Sequence, residues 1–391
     1  MNFPLELAVK KINRHSLIIN LDYCGTCHGT CSGCLLSTEE KDSTESFLTL
    51  EKISHCFAEI SKPLNYVEQL AIGIGRGNAL ALQDQSWDIL KQLGEIVQQY
   101  FNYGTCTLEV ATSLIGHQRQ QLDKAKALID WYNQQYLNID CKFVVISNPG
   151  LTSKNYWKNI QWFLSELALK RGGGENSADI LVLNLMSDSL PSLKLLEPLL
   201  QQHHGPINIF WASGVEFKYL SENVGFRQKI KAVSHWLEAF FQRSKKLGLD
   251  CNLNNMMTLI KSSNELETKE VLEQLNQGKG SLIFIDKNAD MTWGDFTVLG
   301  EIDPVRQFNP GQTNDYDRHH SGKNIHSEIK QLFRHSACQQ CDYFSVCLMS
   351  GGYKTAALNI KLQESRSVSE STQWKQCCPS ALKSVFEMAL N

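Results

Sequence analysis

Leu17-Ile-Ile-Asn-Leu21 is a short apolar run rich in β-branched residues, and close behind it comes Cys27-His-Gly-Thr-Cys31-Ser-Gly-Cys34. The first stretch reads as a strand. The second reads as the loop at its C-terminal tip, where Gly29 and Gly33 let the backbone wrap closely around a compact object. Working outward, runs of the same kind recur at Leu70–Ile74, Thr107–Ala111, Phe143–Ile146, Ile180–Leu185 and Ile207–Trp211. Between them lie segments of helical period at Leu50–Ile60, Ser86–Tyr100, Ile115–Tyr136, Ser153–Leu169 and Ser192–Gln202. Strands alternating with helices predict an α/β domain on a parallel sheet, and six such units fit a partial (β/α)6 TIM-like barrel.

Beyond the sixth strand, Glu222–Gly248 carries Val233, Trp236, Leu237, Phe240 and Phe241 at helical spacing and reads as a long helix that closes the first domain. Ser281–Phe296 reads as a hairpin, and a polar loop around Asn309–Lys323 leads to a second group of cysteines. The expected division is a barrel over 1–248, a bridging segment over 249–280 and a cysteine-rich domain over 281–391. Gly172, Gly173 and Gly174 form a flexible turn before the fifth strand; without a following Gly-Lys-Ser/Thr they predict no phosphate site.

The net charge of −3 over 391 residues offers no basic face for nucleic acid, so none is expected as a partner. Lys10, Lys11, Arg14 and His15 interrupt the N-terminal stretch, which excludes a signal peptide, and no apolar run is long enough for a membrane helix. A cytoplasmic location follows, where the 13 cysteines stay reduced. Four of them crowd into 24–34 and five into 338–378, which points to metal ligation rather than packing.

Three thiolates ligate three irons of a 4Fe-4S cube and leave the fourth iron open to another ligand. Cys27, Cys31 and Cys34 resemble the CxxxCxxC signature of the radical SAM superfamily. The resemblance implies that the amino and carboxylate groups of S-adenosylmethionine (SAM) chelate the open iron, and that one electron then yields a 5′-deoxyadenosyl radical. The superfamily commonly has an aromatic residue before the last cysteine; here Gly33 offers only its backbone. Gly73-Ile-Gly75-Arg76-Gly-Asn78 stands where the superfamily has a GGEP-like segment receiving the SAM amino group, with Arg76 and Asn78 as polar contacts. Ser147-Asn-Pro is similar to a turn whose serine meets the ribose, and Thr112 and Ser113 end the third strand on the same rim, lining the site or capping the next helix. The alternative for this cluster is zinc, for which Cys24 supplies a fourth sulfur.

Cys338-x2-Cys341-x5-Cys347, with the later pair Cys377 and Cys378, resembles the C-terminal SPASM/twitch-like iron-sulfur domain of peptide-modifying radical SAM enzymes. The full pattern holds two auxiliary clusters, but Trp293, Asp295 and Gly351 occupy positions where the other cluster needs cysteines. The resemblance therefore implies one auxiliary 4Fe-4S cluster, on Cys338, Cys341, Cys347 and either Cys377 or Cys378. A structural zinc is again the alternative.

Cys56, Cys106, Cys141 and Cys251 are expected in the core, and His203-His204 and His319-His320 are read as solvated loop histidines. Trp211, Phe217, Tyr219 and Trp293 are assigned to core packing, and Glu216 is the candidate catalytic proton acceptor. The resemblance to radical SAM/SPASM enzymes implies a maturase that acts on a ribosomally made precursor peptide through C–H activation, with a cyclophane-type cross-link as the product and a flavodoxin- or ferredoxin-type reductant as partner. Only about sixteen residues precede the first strand, too few for a winged-helix leader-recognition domain, so leader binding is expected elsewhere. Oxidation of a protein side chain, as in sulfatase maturases, is one alternative; a non-catalytic iron-sulfur or zinc module is another.

Overall fold

The computed structural model describes residues 16–29, 36–65, 67–149, 151, 153–173, 179–186, 188–211, 226–251, 282–296 and 302–307, together with 341, 385, 387 and 388. Six strands follow one another in parallel: β1 Ser16–Cys24, β2 Gln69–Arg76, β3 Thr105–Thr112, β4 Ile139–Ile146, β5 Ile180–Leu185 and β6 Ile207–Trp211. The helices between and after them are α1 Leu50–Glu59, α2 Asp84–Tyr100, α3 Gln118–Gln135, α4 Lys154–Lys170, α5 Leu193–Gln202 and α6 Phe226–Leu247. The strands lie in simple sequential order. With right-handed crossovers, that order puts every connecting helix on one face, which is how a TIM-like sheet forms.

Burial follows the pleat. In β4, Ile139, Cys141, Phe143 and Val145 are buried, whereas Asp140, Lys142, Val144 and Ile146 are partly open. The strand begins four residues before the expected Phe143 because its N-terminal half carries Asp140 and Lys142 on that open face. Helix α3 starts at Gln118 rather than Ile115, since Leu114 (φ 52°) and Gly116 (φ 99°) take left-handed conformations that a helix cannot include. Gly172 (φ 96°) and Gly173 (φ 69°) terminate α4, their N–H groups returning to Leu169 O and Ala168 O. The expected flexible turn is a helix stop.

The hairpin of β7 Leu282–Ile285 and β8 Met291–Phe296 forms as expected, but it joins the barrel sheet. β7 pairs in parallel with β1, β8 pairs antiparallel with β7, and β9 Ile302–Gln307 pairs with β8. The result is a nine-stranded sheet, seven strands of it parallel, in which β1 is interior. Cys56 Sγ lies 3.6 Å from Ala289 O in the hairpin turn, and Lys287 pairs with Glu40 at 2.7 Å.

Asp179 is fully buried and holds α4 to the sheet, accepting from Arg171 Nη2 (3.0 Å), Arg171 Nε (3.1 Å) and Phe143 N (2.9 Å). Cys56, Cys106, Cys141 and Cys251 are buried. Burial pushes the Cys56 thiol up to about 11 and raises those of Cys106 and Cys141 further. His203 departs from the solvated-loop reading: it is buried, its ring near Pro206 O at 3.5 Å, and burial lowers its pKa. The short α5–β6 connection, with Gly205 against both the His203 ring and Asp179 O, presses the imidazole inward.

Candidate active site

The rim at the C-terminal ends of β1 to β5 is held together by a few polar side chains. A bulge at the end of β1, between Asp22 and Cys24, turns the chain into the cysteine loop. There Thr26 Oγ1 donates to Ser43 O, Cys27 N donates to Lys41 O at 3.1 Å, and Lys41 Nζ reaches Gly29 O at 3.3 Å. Gly29 N–H donates to Cys27 Sγ at 3.3 Å, and His28 faces solvent.

Two glycines let this loop sit where it does. A Cβ on Gly77 would lie 2.6 Å from Gly25 C and Thr26 O and 2.8 Å from Cys24 O, all backbone atoms of the β1 end. The same close approach carries Gly77 N to Cys24 O (2.8 Å) and Asn78 N to Thr26 O (2.5 Å). A Cβ on Gly29 would lie 2.7 Å from Asn148 Nδ2, 3.1 Å from Cys27 Sγ and 3.2 Å from Ile115 Cδ1. The described start of the cysteine loop, residues 25–29, is thus seated on the tips of β2, β3 and β4.

Those tips are bonded to one another. Tyr156 on α4 accepts from Asn148 N (2.8 Å) and donates to Ser113 O (3.2 Å), joining β4 to β3. Ser147 Oγ accepts from Asn184 N at 2.9 Å, joining β4 to β5. Gln121 on α3 accepts from Asn78 Nδ2 and Thr112 Oγ1, each at 3.2 Å, and donates to Ile115 O at 2.9 Å. Asn78, Thr112, Ser147 and Gln121 are all buried. Beside this network an open cleft of about 540 Å³ is lined by His28, Leu82, His117, Gln120, Gln121 and Lys124.

Below the rim, on the partly open face of the sheet, the register aligns Asn20, Gly73, Glu109 and Lys142 in one row. Asn20 occupies the space over Gly73, where a Cβ would fall 2.1 Å from its Oδ1. Burial raises the Glu109 carboxyl pKa, and the Lys142 ammonium offsets part of that rise.

The structure therefore brings together Cys27, Gly73, Gly75, Asn78, Thr112 and Ser147, with the backbone of Arg76 among them. Thr112 caps its own loop, accepting from Leu114 N at 3.1 Å, as well as facing Gln121. Cys24 is buried in the core, and burial pushes its thiol up to about 12. Cys31, Gly33, Cys34, Glu216, Cys338, Cys347, Cys377, Cys378, Phe217, Tyr219 and the His319-His320 pair lie outside the described residues, as do the side chains of Trp211 and Trp293. Cys341 is half-buried. Among the described residues no group of three or more His, Cys, Asp or Glu is disposed to hold a metal. No described helix is long and apolar enough to cross a membrane.

Sequence reasoning missed Gly29 and Gly77 as individual contacts, and Gln121, Glu109 and Tyr156 altogether. Glu109 carried one readable signal, a carboxylate inside an apolar strand. Gln121 had none, since a glutamine in a helix is ordinary until its neighbours are known.

No protein-family model matches the sequence, and no curated protein matches it. Among the solved structures that share its fold are two of one protein. A histidine-tagged anSMEcpe with bound AdoMet superposes with a TM-score of 0.54 at 11% identity, covering 96% of this chain and 94% of that one. Native anSMEcpe with bound AdoMet and Cp18Cys peptide gives 0.53 at 11% identity, covering 96% and 97%. The likeness spans nearly the whole of each chain and is one of fold.

Proposed function

We propose that this chain is a radical SAM enzyme that modifies a peptide, with Cys27, Cys31 and Cys34 as ligands of a 4Fe-4S cluster. The observation that carries the reading is the place of Cys27: at the C-terminal tip of the first strand of a one-sided parallel sheet, where such folds put their active sites. The residues present suit the cofactor. Gly29 and Gly77 let the chain that carries Cys27 sit directly on the strand tips, and buried Asn78 Oδ1 has no hydrogen-bond partner among the described residues, an acceptor in need of a donor.

When bound, the cluster and SAM supply a 5′-deoxyadenosyl radical that takes a hydrogen atom from the substrate. The chain itself binds, orients and shields. Ser147, whose oxygen already accepts from Asn184 N, keeps its O–H to donate to a ribose oxygen. Thr112 and Gln121 stiffen the rim, and Gly75 and Arg76 bring the end of β2 to the same place. Asn20, Glu109 and Lys142 form a polar floor beneath. Cys338, Cys341, Cys347 and one of Cys377 and Cys378 are assigned to a single auxiliary cluster, Glu216 to proton removal, and a flavodoxin- or ferredoxin-type protein to electron supply.

The product we favour is a cyclophane-type cross-link in a ribosomally made peptide. Oxidation of a protein side chain is the second reading, favoured by the fold shared with anSMEcpe, an anaerobic sulfatase-maturing enzyme seen with a peptide. Anaerobically reconstituted protein is expected to hold iron and sulfide for two cubes and to release 5′-deoxyadenosine on reduction with SAM. Zinc without nucleoside release would mark a binding module instead, and a Cys27, Cys31, Cys34 triple alanine variant that still cleaves SAM would remove the basis of the reading. Mass spectrometry of the peptide encoded beside the gene separates the products: a cross-link holds two residues together on fragmentation, whereas an oxidised side chain reacts with a hydrazine.

A further inference from the structure

We propose that Gln121 is a positioning residue that turns the Asn78 side-chain oxygen toward a hydrogen-bond donor of bound SAM; this rests on the radical SAM reading above. One backbone carbonyl sets the orientation of both amides. Ile115 O only accepts, so the Gln121 nitrogen must face it, as it does at 2.9 Å. The Gln121 oxygen is thereby turned to Asn78 and Thr112, and it accepts from both at 3.2 Å. Asn78, donating through Nδ2, must hold its oxygen away from Gln121. Reversing either amide would set oxygen against oxygen or nitrogen against nitrogen, so Ile115 fixes the sense of both.

What remains is an acceptor without a donor. Asn78 is 1% exposed and Gln121 3%, and Asn78 Oδ1 has no hydrogen-bond partner among the described residues. A buried polar atom left unpaired destabilises the fold unless a ligand completes it. Its position says which ligand: Asn78 N is bonded to Thr26 O, the residue before Cys27, so the oxygen belongs to the turn that seats the cysteine loop. The same Gln121 side chain anchors the turn that holds left-handed Leu114 and Gly116, and exposed His28 of that loop lies beside Gly116, where an added Cβ would come 3.2 Å from its Cδ2. Conformations of this kind persist only where the surroundings enforce them.

The test compares SAM affinity, read from the change SAM makes in the electron paramagnetic resonance spectrum of the reduced cluster, across reconstituted variants matched for iron content. Asn78→Ala is expected to weaken binding by about tenfold to a hundredfold, the range for losing a hydrogen bond to a charged or polar ligand group. Gln121→Met, which keeps the side-chain volume without its polar atoms, should weaken it comparably, and the double variant should be no weaker than Asn78→Ala alone. Gln121→Glu, protonated in its buried site, still donates to Ile115 O and accepts from Asn78, so it should restore most of the affinity. Wild-type affinity in Gln121→Met, or additive losses in the double variant, would overturn the proposal. If Gln121→Met fails to load iron, Gln121→Glu in the Asn78→Ala background decides: any further loss of affinity counts against it. A wild-type protein that loads iron but leaves the spectrum unchanged by SAM would refute the parent reading first, and this one with it.

Discussion

Replacing Gly77 by alanine tests whether the end of β2 is built to receive the cysteine loop. The new Cβ would stand 2.6 Å from Gly25 C and Thr26 O and 2.8 Å from Cys24 O. Ordinary contact begins near 3.4 Å, so the two backbones must part by about 0.8 Å, the difference between 3.4 and 2.6 Å. None of the three atoms belongs to a side chain that rotates aside. Overpacking of this kind costs ~1–3 kcal/mol. Separation also stretches the Gly77 N to Cys24 O and Asn78 N to Thr26 O bonds, worth ~0.5–1.5 kcal/mol each. A loss of about 2–4 kcal/mol is expected in urea unfolding, with lower iron content after reconstitution. Gly73→Ala is the control: its Cβ comes close only to the Asn20 side chain, Oδ1 at 2.1 Å and Cγ at 3.2 Å, which is partly open and able to turn aside, and a cost under ~1 kcal/mol is expected. Should Gly77→Ala unfold within about 0.5 kcal/mol of wild type, or at no lower urea concentration than Gly73→Ala, the seating of the loop on β2 is wrong.

Three further outcomes follow from the described contacts. Asp179→Asn leaves half-buried Arg171 short of its main, fully buried counter-ion, with half-exposed Asp140 (3.4 Å) as partial compensation; a loss of about 3 kcal/mol is expected in thermal or urea unfolding, and a neutral variant would refute the network. Because burial raises the Glu109 pKa, its contribution is fully present below the unfolded carboxylate value and is lost as pH rises through the folded one. Glu109→Gln should therefore gain Tm relative to wild type between about pH 4 and neutrality, and a difference that stays flat or shrinks over that range would contradict the assignment. Cys24→Ala should lower stability through its core position while leaving iron content unchanged, and a fall in metal loading without loss of stability would restore Cys24 as a ligand.

The sheet was legible because β-branched apolar runs report strands wherever the helix-facing side dominates, as at Ile180–Leu185 and Ile207–Trp211, which form over those same bounds. Legibility failed where the open face carries charge, which hid the first half of β4, and where pairing is long-range. Nothing local in Leu282–Ile285 says that it lies against β1, more than 250 residues earlier, rather than in a unit of its own.

By itself, the sequence determined the kind of fold and the kind of chemistry expected: side-chain period sets strand or helix, and thiol spacing sets what a loop is able to ligate. Only the tertiary structure decided which residues meet. Asn78 and Ile115 come from two connections, Thr112 from the end of β3 and Gln121 from α3, and the sense of the Asn78 and Gln121 amides is set by the Ile115 carbonyl, which the Gln121 side chain reaches only through folding. Hydrogen bonding is directional and short-ranged, so the polarity of such a site exists only once the strands have brought its parts within about 3 Å of each other.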